Sequence, residues 1–227
     1  MRKSLLSFLA ISFAIFSIGM GIWQLRRLSA RQKLNAAVAA RRFAPVVELD
    51  GLPADTSAAH FRRVHIKGSY DHPNEIVFTL RERMGSPGVN IMTPMLRNGK
   101  DTVVLIDRGW VYSPDGVNVD LNPWREQDAV EGNGFVETFP TKGPFPSANP
   151  AHPRALRRLD RTQLQKLLPY PIANYYVVLT DSSPSASAPP RVEPMPLDEG
   201  PHRMYAIQWF SFAAISIIGL VIFIRRT

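Results

Sequence analysis

Five histidines, His60, His65, His72, His152 and His202, have the greatest capacity for acid–base or metal chemistry in this chain, because its 227 residues include no cysteine. The missing thiols exclude disulfides, CxxC redox chemistry, thiolate zinc or copper sites and thioether attachment of a porphyrin. No G-x-S-x-G, H-E-x-x-H, Walker loop or dinucleotide fingerprint occurs, and Gly85-Ser86-Pro87-Gly88 is interrupted by proline, so it is a turn and not a phosphate cradle. A hydrolase would need a clustered nucleophile and base, and none is legible. His65 alternates with Val64 and Ile66, which puts it on the solvated face of a strand, while His72 and His152 each precede a proline in a loop. These three read as ordinary surface histidines.

His202 differs because an apolar stretch, Met204 to Ile224, begins beside it. At 3.6 residues per turn, His202, Tyr205, Trp209, Ala213 and Leu220 fall on one stripe, with Ala206 beside it. The stripe is aromatic at the interface and small deeper in. Two readings stay open at this point: an interfacial aromatic belt capped by a histidine, or a metal–porphyrin site with a neutral imidazole as axial ligand and nearby arginines meeting the propionates.

The elements that must position these residues are set by two uncharged stretches. Leu5 to Ile22 carries no charge and extends through Trp23, long enough at about 1.5 Å per residue to cross a hydrocarbon core. Met204 to Ile224 has Gln208 as its one strongly polar side chain and is followed by Arg225 and Arg226. A cleaved signal peptide is the competing reading of the first stretch, but the run is long and lacks a small-x-small site before Arg26 and Arg27. With no room upstream for an organelle transit peptide, a bacterial inner membrane is the expected address. Arg2, Lys3, Arg225 and Arg226 place both termini in the cytoplasm by the positive-inside rule. Arg26, Arg27, Arg31, Lys33, Arg41 and Arg42, with no acid before Glu48, vote locally for the opposite orientation and call for anionic lipid headgroups or an acidic ligand as a partner. The net charge of +8 is scattered and basic flanks explain it without nucleic acid.

Between the stretches, Gln24 to Arg42 reads as a helix continuing out of the membrane and stopping before Pro45. Strands are predicted at Val46 to Leu49, Phe61 to Tyr70, Glu75 to Glu82, Val89 to Leu96, Thr102 to Val111, Ala129 to Thr138 and Asn174 to Thr180, mostly antiparallel. Asn98-Gly99 is the strongest hairpin signal. A short helix is predicted at Asp160 to Leu168, capped by Asp160 and stopped by Pro169. Pro140 to Pro153 and Ser182 to Pro201 read as proline- and serine-rich connections. The fold class is therefore an α+β membrane protein with a cytoplasmic tail at 1–4, a transmembrane helix at 5–23, an extracytoplasmic β-rich domain at 24–201 open to a barrel-like closure, a second transmembrane helix at 202–224 and a tail at 225–227.

Three short motifs in order, Trp23-Gln24-Leu25-Arg26-Arg27-Leu28, Arg108-Gly109-Trp110-Val111, and His202 followed by Tyr205-Ala206 and Trp209, give the whole chain a pattern that resembles the surfeit locus protein 1 family. The resemblance implies a non-enzymatic assembly factor for haem–copper cytochrome c oxidase that binds haem a as cargo and helps place it in the large catalytic subunit, with haem a synthase as a further partner beside the lipid bilayer. On this resemblance His202 is the haem iron ligand and Trp23 and Gln24 match the first-span motif. Tyr205 and Trp209 are then walls, and charge and position make Arg26 and Arg27 partners for propionates. Arg203 and Met204 depart from the family's usual leucine and small residue, and Tyr112 from its usual proline. Arg108, Gly109 and Trp110 have two readings: a strand end in which Trp110 packs and Arg108 pairs with a carboxylate, or an edge facing the haem or the partner subunit. An adaptor that holds oxidase subunits without binding haem is the alternative function.

Overall fold

A computed structural model describes residues 2–52, 56–140, 153–181, 187–194 and 196–226. The chain divides into two compact units, residues 1–40 with 196–227, and residues 41–195. His152 and most of the two proline-rich connections lie outside the described residues. In chain order the elements are α1 (Arg2–Arg42), β1 (Val47–Glu48), α2 (Thr56–Ala59), β2 (Arg63–Tyr70), β3 (Ile76–Arg83), β4 (Ser86–Arg97), β5 (Lys100–Tyr112), β6 (Ala129–Thr138), β7 (Ala155–Leu156), α3 (Arg161–Leu167), β8 (Ile172–Leu179) and α4 (His202–Arg225).

The first unit is an antiparallel pair of helices. Ser216 Oγ donates to the Ala10 carbonyl at 3.0 Å, Phe16 meets Trp209 edge to face at 5.8 Å, and His202 meets Gln24, so residue numbers fall along α4 as they rise along α1. The covered face of α1 is Ala14, Ser17, Gly21, Gln24 and Leu28, a 3-4-3-4 spacing. The covered positions on α4, from His202 through Ala206, Trp209, Ala213, Ser216 and Leu220 to Phe223, follow the same rhythm. That period of 3.5 is the seam of a left-handed helix pair, and the small residues on it let two backbones approach. A Cβ added at Gly21 would come within 2.7 Å of the Phe210 ring. The outward faces are as apolar as the seam, with Phe8 66% and Ile15 65% exposed. Both helices are long and apolar enough to cross a membrane.

In the second unit five strands close into a barrel in the order β2-β6-β8-β5-β4, with β4 returning to β2 through Ser69 opposite Leu96 and Tyr70 opposite Met95. An odd ring cannot alternate direction all the way round. One neighbouring pair must be parallel, and it is β5 with β8; β1 and β7 add further parallel pairings to β2 and β3. Val64, Ile66, Met95, Val104, Ile106, Val136 and Val177 fill one core. Val103 and Leu105, on the opposite face of β5, pack with Leu164 of α3 and Ile172. The Val103-Val104-Leu105-Ile106 run is thus buried on both faces, which is why it shows no alternation. Asp160 caps α3 by accepting from the Thr162 amide at 2.9 Å, and the helix ends at Leu167 ahead of Pro169. The hairpin between β4 and β5 turns at Asn98-Gly99, with Gly99 alone of the two at positive φ (70°).

Candidate functional site

The helix pair brings together two of the residues singled out above. Gln24 stands on the covered stripe of α1, 8% exposed. His202 opens α4, directly after Pro201 at the N-cap. His202 Nδ1 and Gln24 Oε1 are 2.9 Å apart. An amide oxygen can only accept, so Nδ1 carries the proton and a neutral ring keeps its lone pair on Nε2, which has no hydrogen-bond partner among the described residues. The turn before His202 is stapled to α1 further along: Arg31 Nε and Asn35 Nδ2 both donate to the Asp198 carbonyl at 3.0 Å, and Gln32 Nε2 donates to Glu199 Oε1 at 2.8 Å. Glu199 also pairs with Arg203 at 2.9 Å. These polar staples extend the seam beyond its apolar part and hold the imidazole's backbone.

The remaining candidates in this unit are placed differently. Trp209 lies on the covered stripe, between Phe16 and Phe212, each edge to face at 5.8 Å. Tyr205 lies off the stripe and is about half-exposed, and Ala206, 2% exposed, takes the covered position. The sequence reading of the stripe is corrected here: at a 3.5-residue period the position next to His202 is 206, and an alanine fits against α1 where a tyrosine ring would not. Trp23 points away from the pair, about half-exposed, with the Arg27 guanidinium 5.7 Å above its ring. Arg26 is exposed and has no ion pair or hydrogen bond among the described residues.

The Arg108-Gly109-Trp110 motif sits in the barrel. A bulge on β5 sets Gly109 opposite Ile91 and Asp107 opposite Met92, leaving Arg108 as the extra residue. Its side chain, 0% exposed, enters the interior 5.3 Å from the Tyr70 ring. Arg108 Nη1 donates to Glu75 at 2.5 Å and Nε to Glu126 at 2.8 Å, and Nη2 donates to the Trp124 carbonyl. Glu75 also accepts from Thr93 at 2.7 Å, and Glu126 from Arg191 at 2.7 Å. Burial works against the charge of Glu126, but hydrogen bonds from Arg191 and Arg108 outweigh it and hold its carboxyl below the usual range. Burial, followed by the Glu126 charge, pushes the Tyr70 phenol up. Burial likewise pushes Asp107 up to about 6, against hydrogen bonds from Asn90 and the Gly109 amide.

Arg108 therefore pairs with carboxylates, as the first of its two readings has it, and Trp110 packs on Gly88 and donates to the Arg81 carbonyl at 3.2 Å. His72 is a correction. It is buried, not a surface residue, with Nδ1 2.9 Å from Glu75 and Nε2 3.1 Å from the Glu126 carbonyl. Glu75, Glu126, Arg191, Asp198 and Glu199 were not singled out by the sequence. An arginine inside the apolar run Val103 to Val111 signals a demand for buried acids without saying which.

A closed β-barrel preceded and followed in the chain by an apolar helix, with a histidine and a glutamine joined across the helix seam, defines a class of helix-flanked barrel proteins without a nucleophile–base cluster in either site described here. The model of the SURF1 family matches residues 11–214, and the chain belongs to that family. A SURF1-like protein of Rickettsia conorii is 26% identical over 225 residues, 95% of this chain and 89% of that one. Surfeit locus protein 1 of Rattus norvegicus is 25% identical over 232 residues, covering 93% and 73%. The cytochrome oxidase assembly protein SHY1 of Saccharomyces cerevisiae is 29% identical over 123 residues, 52% of this chain and 32% of the yeast protein.

Proposed function

We propose that this chain is a non-enzymatic assembly factor for cytochrome oxidase that holds haem a at the His202–Gln24 pair and aids its insertion into the catalytic subunit. The oxidase comes from the name of the yeast relative. The observation that carries the haem reading is the 2.9 Å bond from His202 Nδ1 to a buried glutamine oxygen. It puts a ring proton on Nδ1, so that the neutral ring presents Nε2 as the metal-ligating atom, and an acceptor behind the ring fixes its orientation. Haem brings an iron that takes an axial imidazole and two propionates that take cations. His202 would hold the first, while Arg26, without a partner among the described residues, and Arg27 are suited to the second. Trp209 offers a ring on the same seam. The two apolar helices would span a bacterial inner membrane with both termini in the cytoplasm and the barrel on the periplasmic side, next to oxidase subunits and haem a synthase.

The test is the haem-to-protein ratio of full-length protein purified from cells that make haem a. Wild type should show a Soret band and His202→Ala should lose it, while Gln24→Leu should weaken haem affinity about ten-fold as the loss of a ligand's outer partner does. His202→Ala leaves the Gln24 amide oxygen without its donor, so trypsin resistance of the barrel is the folding control. Unchanged haem in a folded His202→Ala protein would overturn the ligand role. A wild type free of haem that still supports oxidase assembly would favour an adaptor that only holds subunits.

A further inference from the structure

The barrel uses Arg108-Gly109-Trp110 for something besides its own closure. β8 pairs with β5 as far as Asp107 and ends at Leu179. Beyond that point the slot beside β5 is taken by Pro189, Pro190 and Arg191, from the segment that leads to α4. The Trp110 amide donates to the Pro190 carbonyl at 2.9 Å. Arg191 Nη1 donates to the Arg108 carbonyl, its Nη2 to Glu126 at 2.7 Å and its Nε to the Asp181 carbonyl at 3.2 Å. Gly109, at φ 137°, leaves no room for a side chain, since a Cβ there would stand 2.4 Å from the Pro190 carbonyl oxygen. Prolines suit this slot, because a strand of prolines accepts a hydrogen bond but has no N–H to continue a ladder.

We propose that Arg108-Gly109-Trp110 is a latch that clamps the return chain at Pro190-Arg191 and so sets the free length of chain ahead of His202; this rests on the His202 reading above. Without the latch, the chain between Asp181, which accepts from the Asn133 amide, and Asp198, stapled to α1, counts 16 residues (197 − 182 + 1). With the latch, the chain between Arg191 and the Asp198 staple counts 6 residues (197 − 192 + 1). The maximal reach falls from about 55 Å to about 20 Å. By the three-halves power of length, a flexible tether of 6 residues holds its ends together at about four times the effective concentration of one of 16. Gly109, Trp110, Glu126 and Arg191 are thus positioning residues: they act on His202 through the length and register of the chain between.

Trypsin reads the latch directly, because it cuts after Arg191, whose side chain is 12% exposed and fully engaged in the latched form. In the full-length protein, Gly109→Ala should speed cleavage of the Arg191–Val192 bond at least ten-fold. Arg191→Lys, which adds no bulk and keeps the trypsin site but cannot fork to two acceptors, should do the same while the barrel elsewhere stays resistant. Both should lower oxidase yield several-fold. A third variant carries ten glycine and serine residues inserted after Glu193, restoring a 16-residue tether with the latch intact. It should keep Arg191 protected and still lower oxidase yield. Unchanged cleavage at Arg191 in Arg191→Lys would overturn the latch. Full oxidase yield from the insertion variant, beside a defect in Gly109→Ala, would overturn its positioning role and confine the motif to local packing. The trypsin readout does not depend on haem, so a haem-free wild type with Arg191 still protected would refute the haem reading and the positioning of His202 that rests on it, while exposed Arg191 in a haem-loaded wild type would refute the clamp alone.

Discussion

Replacing Arg108 with methionine tests whether the buried charge network holds the barrel together. The side chain is 0% exposed, and Nε, Nη1 and Nη2 each reach a different acceptor, on Glu126, Glu75 and Trp124. Methionine fills much of the space, so packing loss is minor and the cost is electrostatic. Glu126 keeps Arg191, but Glu75, 7% exposed, is left with Thr93 and His72. Breaking a buried ion pair by removing one member costs about 3–5 kcal/mol. A domain of this size has an unfolding slope of about 2 kcal/mol per molar urea, so the midpoint should fall by about 1.5–2.5 M. The assay is urea-dependent proteolysis of the barrel in the full-length protein in detergent, with Trp110 and Trp124 fluorescence as a second probe. Arg108→Met combined with Glu75→Gln removes the uncompensated carboxylate and should recover at least half of the loss. A single-variant loss under about 1 kcal/mol, or a double variant no better than the single, would refute the reasoning.

Asp107 gives the barrel a pH dependence of opposite sign to that of most carboxylates. Its folded value, about 6, lies above the ordinary one near 4, so the native state binds the proton more tightly. Its contribution is fully present below about pH 4 and is lost as pH rises to about 6, a deficit of about 3 kcal/mol at pH 7. Asp107→Asn should therefore gain on wild type between pH 4 and pH 7 by about that amount, which is about 1.5 M in urea midpoint, and parallel profiles would sink the idea. Topology is checked with a reporter active only outside the cytoplasm. It should work when inserted at the Asn98-Gly99 turn and fail when fused after Thr227, and the reverse pattern would make the arginines after Trp23 follow the positive-inside rule instead.

Much of the fold is legible because local and global signals agree. Two uncharged stretches announce α1 and α4, and alternation marks β2. Elsewhere the period is hidden. Val103 to Ile106 reads as a strand only by length and β-branching, since burial on both faces erases alternation. The two-residue β1 and β7 are too short to carry a pattern of their own. A parallel β5–β8 pair could not be read from either strand; it follows from there being five strands in the ring, a count that the sequence does not display. Phe61, Leu80 and Met84 hold positive φ, a conformation their residue types disfavour and nothing nearby announces.

The two sites differ in how far sequence could reach them. His202 and Gln24 were legible because each sits at the end of an apolar stretch, and two antiparallel helices of known length bring such ends together. What decided between Gln24 and Trp23, adjacent in sequence, was phase. Counting by three and four from Ala14 through Ser17 and Gly21 lands on Gln24, and the small residues on that stripe were visible from the start. The Arg108 site has no such ruler. Its acids lie 33 residues before it and 18 after, and Arg191 lies 83 after. A bulge, which shifts register by one residue, decides whether the arginine enters the barrel at all. A buried guanidinium must find carboxylates because leaving it unpaired costs several kcal/mol, so the sequence imposes the demand. Among 19 acids only the closed barrel selects Glu75 and Glu126 to meet it.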